Sequence, residues 1–91
     1  MRKFSLGHCV ATRGAASLMD RLNVSPMSLM ARHVSGDDGD LGADDKALNA
    51  AAIASGKDRV FSAYNLPSGD KLWVITEWDR SVTTILLPDE Y

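Results

Sequence analysis

Five aspartates crowd into one short stretch: Asp37, Asp38, Asp40, Asp44 and Asp45. Carboxylates this close can share a divalent cation, cap a helix, or present negative charge to a basic partner. A calcium loop needs oxygen ligands at its first, third and fifth positions, a glycine at the sixth and a glutamate at the twelfth. Counted from Asp38, Asp40 takes the third place, but Gly42 stands at the fifth, Ala43 at the glycine and Asn49 at the glutamate. No metal site and no cofactor are predicted. Two readings are left for the aspartates. They cap a helix within a solvated loop, or they form a surface for a cationic protein, with Trp78, near a strand end, as its aromatic anchor.

His33, Glu77 and Arg80 form a second set. In small ribonucleases a carboxylate acts as base, an arginine steadies the phosphate and a histidine acts as acid. The competing reading puts His33 at a helix C-terminus, where the dipole and a nearby carboxylate hold it. Asp79 and Arg80 then organise a hairpin turn, and Glu77 faces water. Whether the three converge on one cleft decides between these. Cys9 has no fixed basic neighbour and reads as an inert buried thiol. His8 belongs to no metal spacing, and Met27 and Met30 read as core filler.

The elements that must hold these residues follow from periodicity and punctuation. Phe4 to Val10 is a strand candidate weakened by Gly7. Ala15 to Leu22 reads as a helix with Leu18, Met19 and Leu22 along one stripe. Ser25 is an N-cap, Pro26 stands at the first helical position, and Val24 and Leu29 form a staple, so a helix from Pro26 to Val34 follows. Asp40 is expected to cap a third helix from Leu41 to Ser55, stopped by Gly56, with Leu48 and Ile53 on its apolar face. Arg59 to Leu66, Lys71 to Trp78 and Val82 to Leu87 read as strands joined by the turns Pro67–Asp70 and Asp79–Ser81. The prediction is one α+β domain over residues 1–91. A short N-terminal strand and three helices pack on a C-terminal antiparallel three-stranded meander, with the first strand as a possible fourth member.

The chain has 91 residues, 45% of them hydrophobic and 24% charged, with a net charge of -2. The charge is segregated. Residues 1–36 carry five basic side chains against Asp20, whereas residues 37–58 carry six aspartates against Lys46 and Lys57. One cysteine excludes an internal disulfide framework. No apolar run approaches the roughly 20 residues of a membrane span, and the basic start, Met1 to Phe4, is not followed by the apolar stretch of a signal peptide. A cytoplasmic protein without membrane contact is expected. The scarcity of basic residues after position 58 argues against direct nucleic-acid binding.

Three blocks carry a resemblance. They are Phe4, Leu6, Gly7, Val10, Ala11 and Thr12 at the start, Arg32 to Leu41, and Leu72 to Ser81 followed by Thr83 to Pro88, Glu90 and Tyr91. Together they resemble a widespread family of short plasmid- and phage-borne proteins of unknown function. The family pattern has tryptophan where this chain has Asp38, and alanine where it has Trp78. The resemblance implies a mobile-element origin and no reaction. The function expected is that of a small accessory protein acting by protein binding. Such a protein would inhibit a host defence system, anti-CRISPR or anti-restriction, through Asp37, Asp38, Asp40, Asp44, Asp45 and Trp78. Its partner would be a host protein with a basic surface, and the chain itself a monomer or homodimer. The alternative is a ribonuclease-like toxin or hydrolase using His33, Glu77 and Arg80.

Overall fold

The computed structural model describes residues 2–91; Met1, which opens the basic first segment, lies outside them. The order is β1 (His8–Ala11), α1 (Arg13–Leu22), α2 (Pro26–Val34), α3 (Ala43–Ser55), β2 (Val60–Asn65), β3 (Lys71–Thr76) and β4 (Val82–Leu86), followed by a 3-10 turn, Pro88–Glu90. The α+β architecture and the antiparallel meander are as the sequence predicts. β1 does join the sheet, parallel to β4, and the strand order is β1-β4-β3-β2.

Helices α1 and α2 cover one face. Ala15, Leu18 and Met19 of α1 and Leu29, Met30 and Val34 of α2 meet Tyr64, Leu72, Val74 and Ile85 of the sheet in a single core cluster. Leu72, Val74 and Ile85 have no accessible surface, and burying each such side chain stabilises the fold by roughly 1.5–3 kcal/mol. The opposite face carries Phe61, Trp73, Ile75 and Leu86; the 3-10 turn packs against β3, and Ile75 and Leu86 are buried while Phe61 and Trp73 stay half-buried. Tyr91 leans on Trp73, at 5.9 Å between ring centroids.

Several boundaries and faces differ from expectation for identifiable reasons. Gly7 takes φ 64°, which delays β1 to His8. α1 begins at Arg13 rather than Ala15, because Thr12 caps it, its hydroxyl accepting the Ala15 N–H at 3.2 Å. Asp40 does not cap α3; Gly42 occupies that position and the helix begins at Ala43. Leu48 is exposed on α3, and the residues it buries are Asn49 and Ala52. Cys9 is exposed, because β1 is an edge strand with solvent at every position. Met30 fills the core while Met27 stays in water.

Candidate functional site

The aspartate loop is built into the fold. Arg32 Nε donates to Asp37 Oδ2 at 2.7 Å, and the same guanidinium lies 4.3 Å over the Tyr64 ring. That hydrogen bond holds the Asp37 carboxyl below its ordinary range. Tyr64 Oη donates to the Asp37 carbonyl at 2.5 Å, and burial pushes its phenol up to about 12. Asp38 accepts from Lys46 Nζ at 3.1 Å and from Asn49 Nδ2.

The backbone of this loop runs beside β2 as a short false strand. Ala63 N donates to the Asp38 carbonyl at 3.2 Å, Asp40 N donates to the Ala63 carbonyl at 2.7 Å, and Asp40 Oδ2 accepts the Asn65 N–H at 2.8 Å. Asn49 reaches from α3 to the same edge. Its Oδ1 accepts the Phe61 N–H at 2.8 Å and its Nδ2 donates to the Phe61 carbonyl. The outward N–H groups of Phe61, Ala63 and Asn65 are therefore all satisfied within the chain, which removes β2 as an open edge. Gly39 is required for this approach. Its φ is 71°, and a Cβ there would collide with the Ala63 carbonyl and the Tyr64 ring. Asp44 and Asp45 stand apart, exposed in the first turn of α3, with no ion pair among the described residues.

His33 is 1% exposed. Its ring bonds no carboxylate but two hydroxyls, one of which is bonded to a third. Nδ1 lies 2.6 Å from Ser62 Oγ, Nε2 lies 2.9 Å from Thr76 Oγ1, and Thr76 Oγ1 lies 2.7 Å from Thr83 Oγ1. Proton counting orders the chain, because each hydroxyl has one hydrogen to give. Thr83 donates to the Leu6 carbonyl at 2.7 Å, so Thr76 must donate to Thr83. Thr76 then accepts from His33 Nε2–H, and Ser62 donates to Nδ1. The ring is neutral and has no free nitrogen. Burial pulls its pKa down to about 4.

Arg80 is equally committed. It sits at φ 62° in the β3–β4 turn, and Nη1 donates to the carbonyls of Asp58 at 2.6 Å, Glu77 at 3.3 Å and Trp78 at 3.0 Å. Nη2 reaches the Ala52 carbonyl near the end of α3 at 3.1 Å. Phe4 separates it from His33, edge-on to the imidazole at 5.2 Å and 5.8 Å from the guanidinium. Glu77 lies just past the end of β3, and its carboxylate bonds neither His33 nor Arg80. The three hydrolase candidates share no cleft, and the two whose bonding is described are consumed by hydroxyls and carbonyls.

Two exposed features stand outside these networks. Trp78 is 63% exposed at the turn that Arg80 pins. Beside it, Asp79 Oδ1 accepts the Ser81 N–H at 3.0 Å, and hydrogen bonding to Ser81 holds its carboxyl below the ordinary range. On the face away from α1 and α2, Arg59, Phe61, Trp73, Ile75 and Tyr91 line a groove of about 280 Å³. Phe61 and Trp73 meet edge-to-face at 5.0 Å, and Arg59 Nη1 donates to Tyr91 Oη. No group of three His, Cys, Asp or Glu side chains is placed to hold a metal ion, and no helix is long and apolar enough to cross a membrane, among the described residues. Sequence reasoning singled out Trp78 but missed the aromatic groove, whose only signal was the alternation Phe61, Ala63 against Trp73, Ile75. Comparison with protein-family models, with curated proteins and with solved structures finds no match.

Proposed function

We propose that this chain acts by binding a protein, with Trp78 as anchor and the carboxylates around it as the guide for a basic partner surface. The observation that carries the reading is the fixed exposure of Trp78. A large aromatic side chain in water is held on a turn whose only cation, Arg80, is turned inward onto four carbonyl oxygens. The negative charge of Asp58, Glu77 and Asp79 is thus left without that guanidinium as a counter-ion. Tryptophan is enriched among residues that dominate binding energy, and a rigid turn lowers the entropy lost on docking. Asp45 borders the same groove as Asp58, with Asp44 beside it in the first turn of α3.

The resemblance to plasmid- and phage-borne proteins supports a more specific role, an accessory factor that inhibits a host defence system by occupying a basic, nucleic-acid-binding surface. Asp37, Asp38 and Asp40 contribute to this by shaping the loop; their carboxylates are engaged within the chain.

Affinity capture from a host lysate, followed by binding measurements on the captured protein, tests the proposal. Trp78→Ala should weaken binding by roughly 30-fold or more. Glu77→Gln/Asp79→Asn should weaken it less and flatten its dependence on salt. Unchanged affinity of Trp78→Ala for every captured protein would overturn the reading.

A further inference from the structure

The two edges of the sheet are treated in opposite ways. The β2 edge is closed by Asn49 and the aspartate loop. The β1 edge is bare. His8 N donates to the Ser81 carbonyl and Thr12 N to the Ile85 carbonyl, so the even-numbered residues of β1 face β4. By strand alternation, the N–H and C=O groups of Cys9 and Ala11 point away from the sheet. Among the described residues no backbone partner takes them. Val10 between them is 46% exposed.

We propose that two copies of this chain pair through β1, antiparallel, across a two-fold axis at Val10. The bare edge has the symmetry for it. With the axis at Val10, Cys9 and Ala11 exchange N–H···O bonds with Ala11 and Cys9 of the second copy, and no outward group is left over. Val10 then faces Val10 as the non-hydrogen-bonded pair, where side chains come closest. On the helix side, the Cys9 thiol of the second copy lies opposite Ala11. Ala11 there borders a groove of about 350 Å³ with Ala16, Met19 and Val24. On the other side, the row Val10–Thr84–Ile75–Phe61 runs on into its symmetry mate, joining two four-stranded sheets into one.

The closed β2 edge fixes the stoichiometry. Were both edges open, head-to-tail addition would build a filament. With only β1 open, edge pairing is isologous and stops at two. A second copy is therefore the occupant that fits this edge; a foreign strand would match it only with the same short spacing of two outward residues.

Sedimentation equilibrium and site-directed cross-linking test this. The chain should sediment at twice its 9.8 kDa mass as concentration rises. Val10→Cys in a Cys9→Ser background should form an intermolecular disulfide under mild oxidation, since Cα atoms of a non-hydrogen-bonded pair lie about 4.5 Å apart. The native Cys9 pair should not, because the register separates those Cα atoms by about 8–9 Å. Cys9→Pro removes an outward donor without touching the bonds to β4, and should weaken association at least about tenfold with the circular dichroism unchanged. A monomer at all concentrations up to about 0.5 mM would overturn the proposal. So would a dimer that cross-links at Cys9 and not at position 10, since that requires a different register.

Discussion

Acidification should loosen this fold through His33, well before the carboxylates titrate. The imidazole is neutral in the fold, with a pKa near 4 caused by burial, against about 6.5 in an unfolded chain. Between those values the unfolded state binds a proton that the folded state refuses, so stability falls as pH drops through 6.5 and levels off below about 4. Linkage gives a loss of about 2 kcal/mol at pH 5 relative to pH 7, and about 3 kcal/mol once both states are protonated. The cause is burial, in a site where the ring nitrogens meet only neutral hydroxyls. A proton on Nδ1 would reverse this bond, so that Ser62 Oγ accepts and must turn its own hydrogen elsewhere. Urea melts at pH 7, 6 and 5 measure the effect. With a slope near 1 kcal/mol/M, the midpoint should fall by about 2 M between the extremes. Asp37 and Glu90, whose carboxyls are held low by Arg32 and Thr12, lose their contribution only at pH values below this window. His33→Gln should be less stable but nearly flat from pH 7 to 5. Proton NMR reads the same group directly. A His33 ring titrating near 6.5 in the folded protein, or a midpoint that does not move between pH 7 and 5, would refute the proton assignment.

Three further outcomes follow from the sealed edge and the pinned turn. Gly39→Ala combines a collision at Ala63 with a left-handed φ, and should cost about 2–4 kcal/mol in a thermal or urea melt. Asn49→Ala uncovers the Phe61 N–H and carbonyl; a loss of about 2 kcal/mol is expected, together with faster amide exchange at Phe61. Arg80→Lys keeps the charge but cannot fork to four carbonyls. It should lower the melting midpoint and raise exchange at residues 77–80, and an unchanged exchange pattern would show that the turn holds its shape without the guanidinium.

The elements were legible where local chemistry decides them. Ser25 accepts the Ser28 N–H and Pro26 starts α2, and the turn residues between β2, β3 and β4 set an antiparallel meander. What local reading could not supply was partnership between distant residues. His33 read as a helix-end residue held by the dipole and a carboxylate, because Ser62 and Thr76, which bond its ring, and Thr83, which bonds Thr76, lie on three different strands. The aspartates looked like a charged surface because their acceptor role is taken up by Arg32, Lys46 and the β2 backbone. Asn49, weighed in the sequence only as a failed calcium-loop position, is one of the two residues that α3 buries. Trp78 remained exposed, as a tryptophan beside a turn and two acidic residues suggested.

The parallel pairing of β1 with β4 constrains how the chain is made. Residues 8–11 find their partners only at residues 82–85, so the first strand leaves the ribosome long before the strand it must lie against. Until β4 emerges, the growing chain holds helices that bury only part of their apolar stripe and a leading segment with nowhere to dock. Contacts of such long sequence separation slow folding and leave sticky surface exposed while they are awaited. The parallel β1–β4 pairing is thus the contact whose closure completes the sheet, and it is the one that local structure cannot form early.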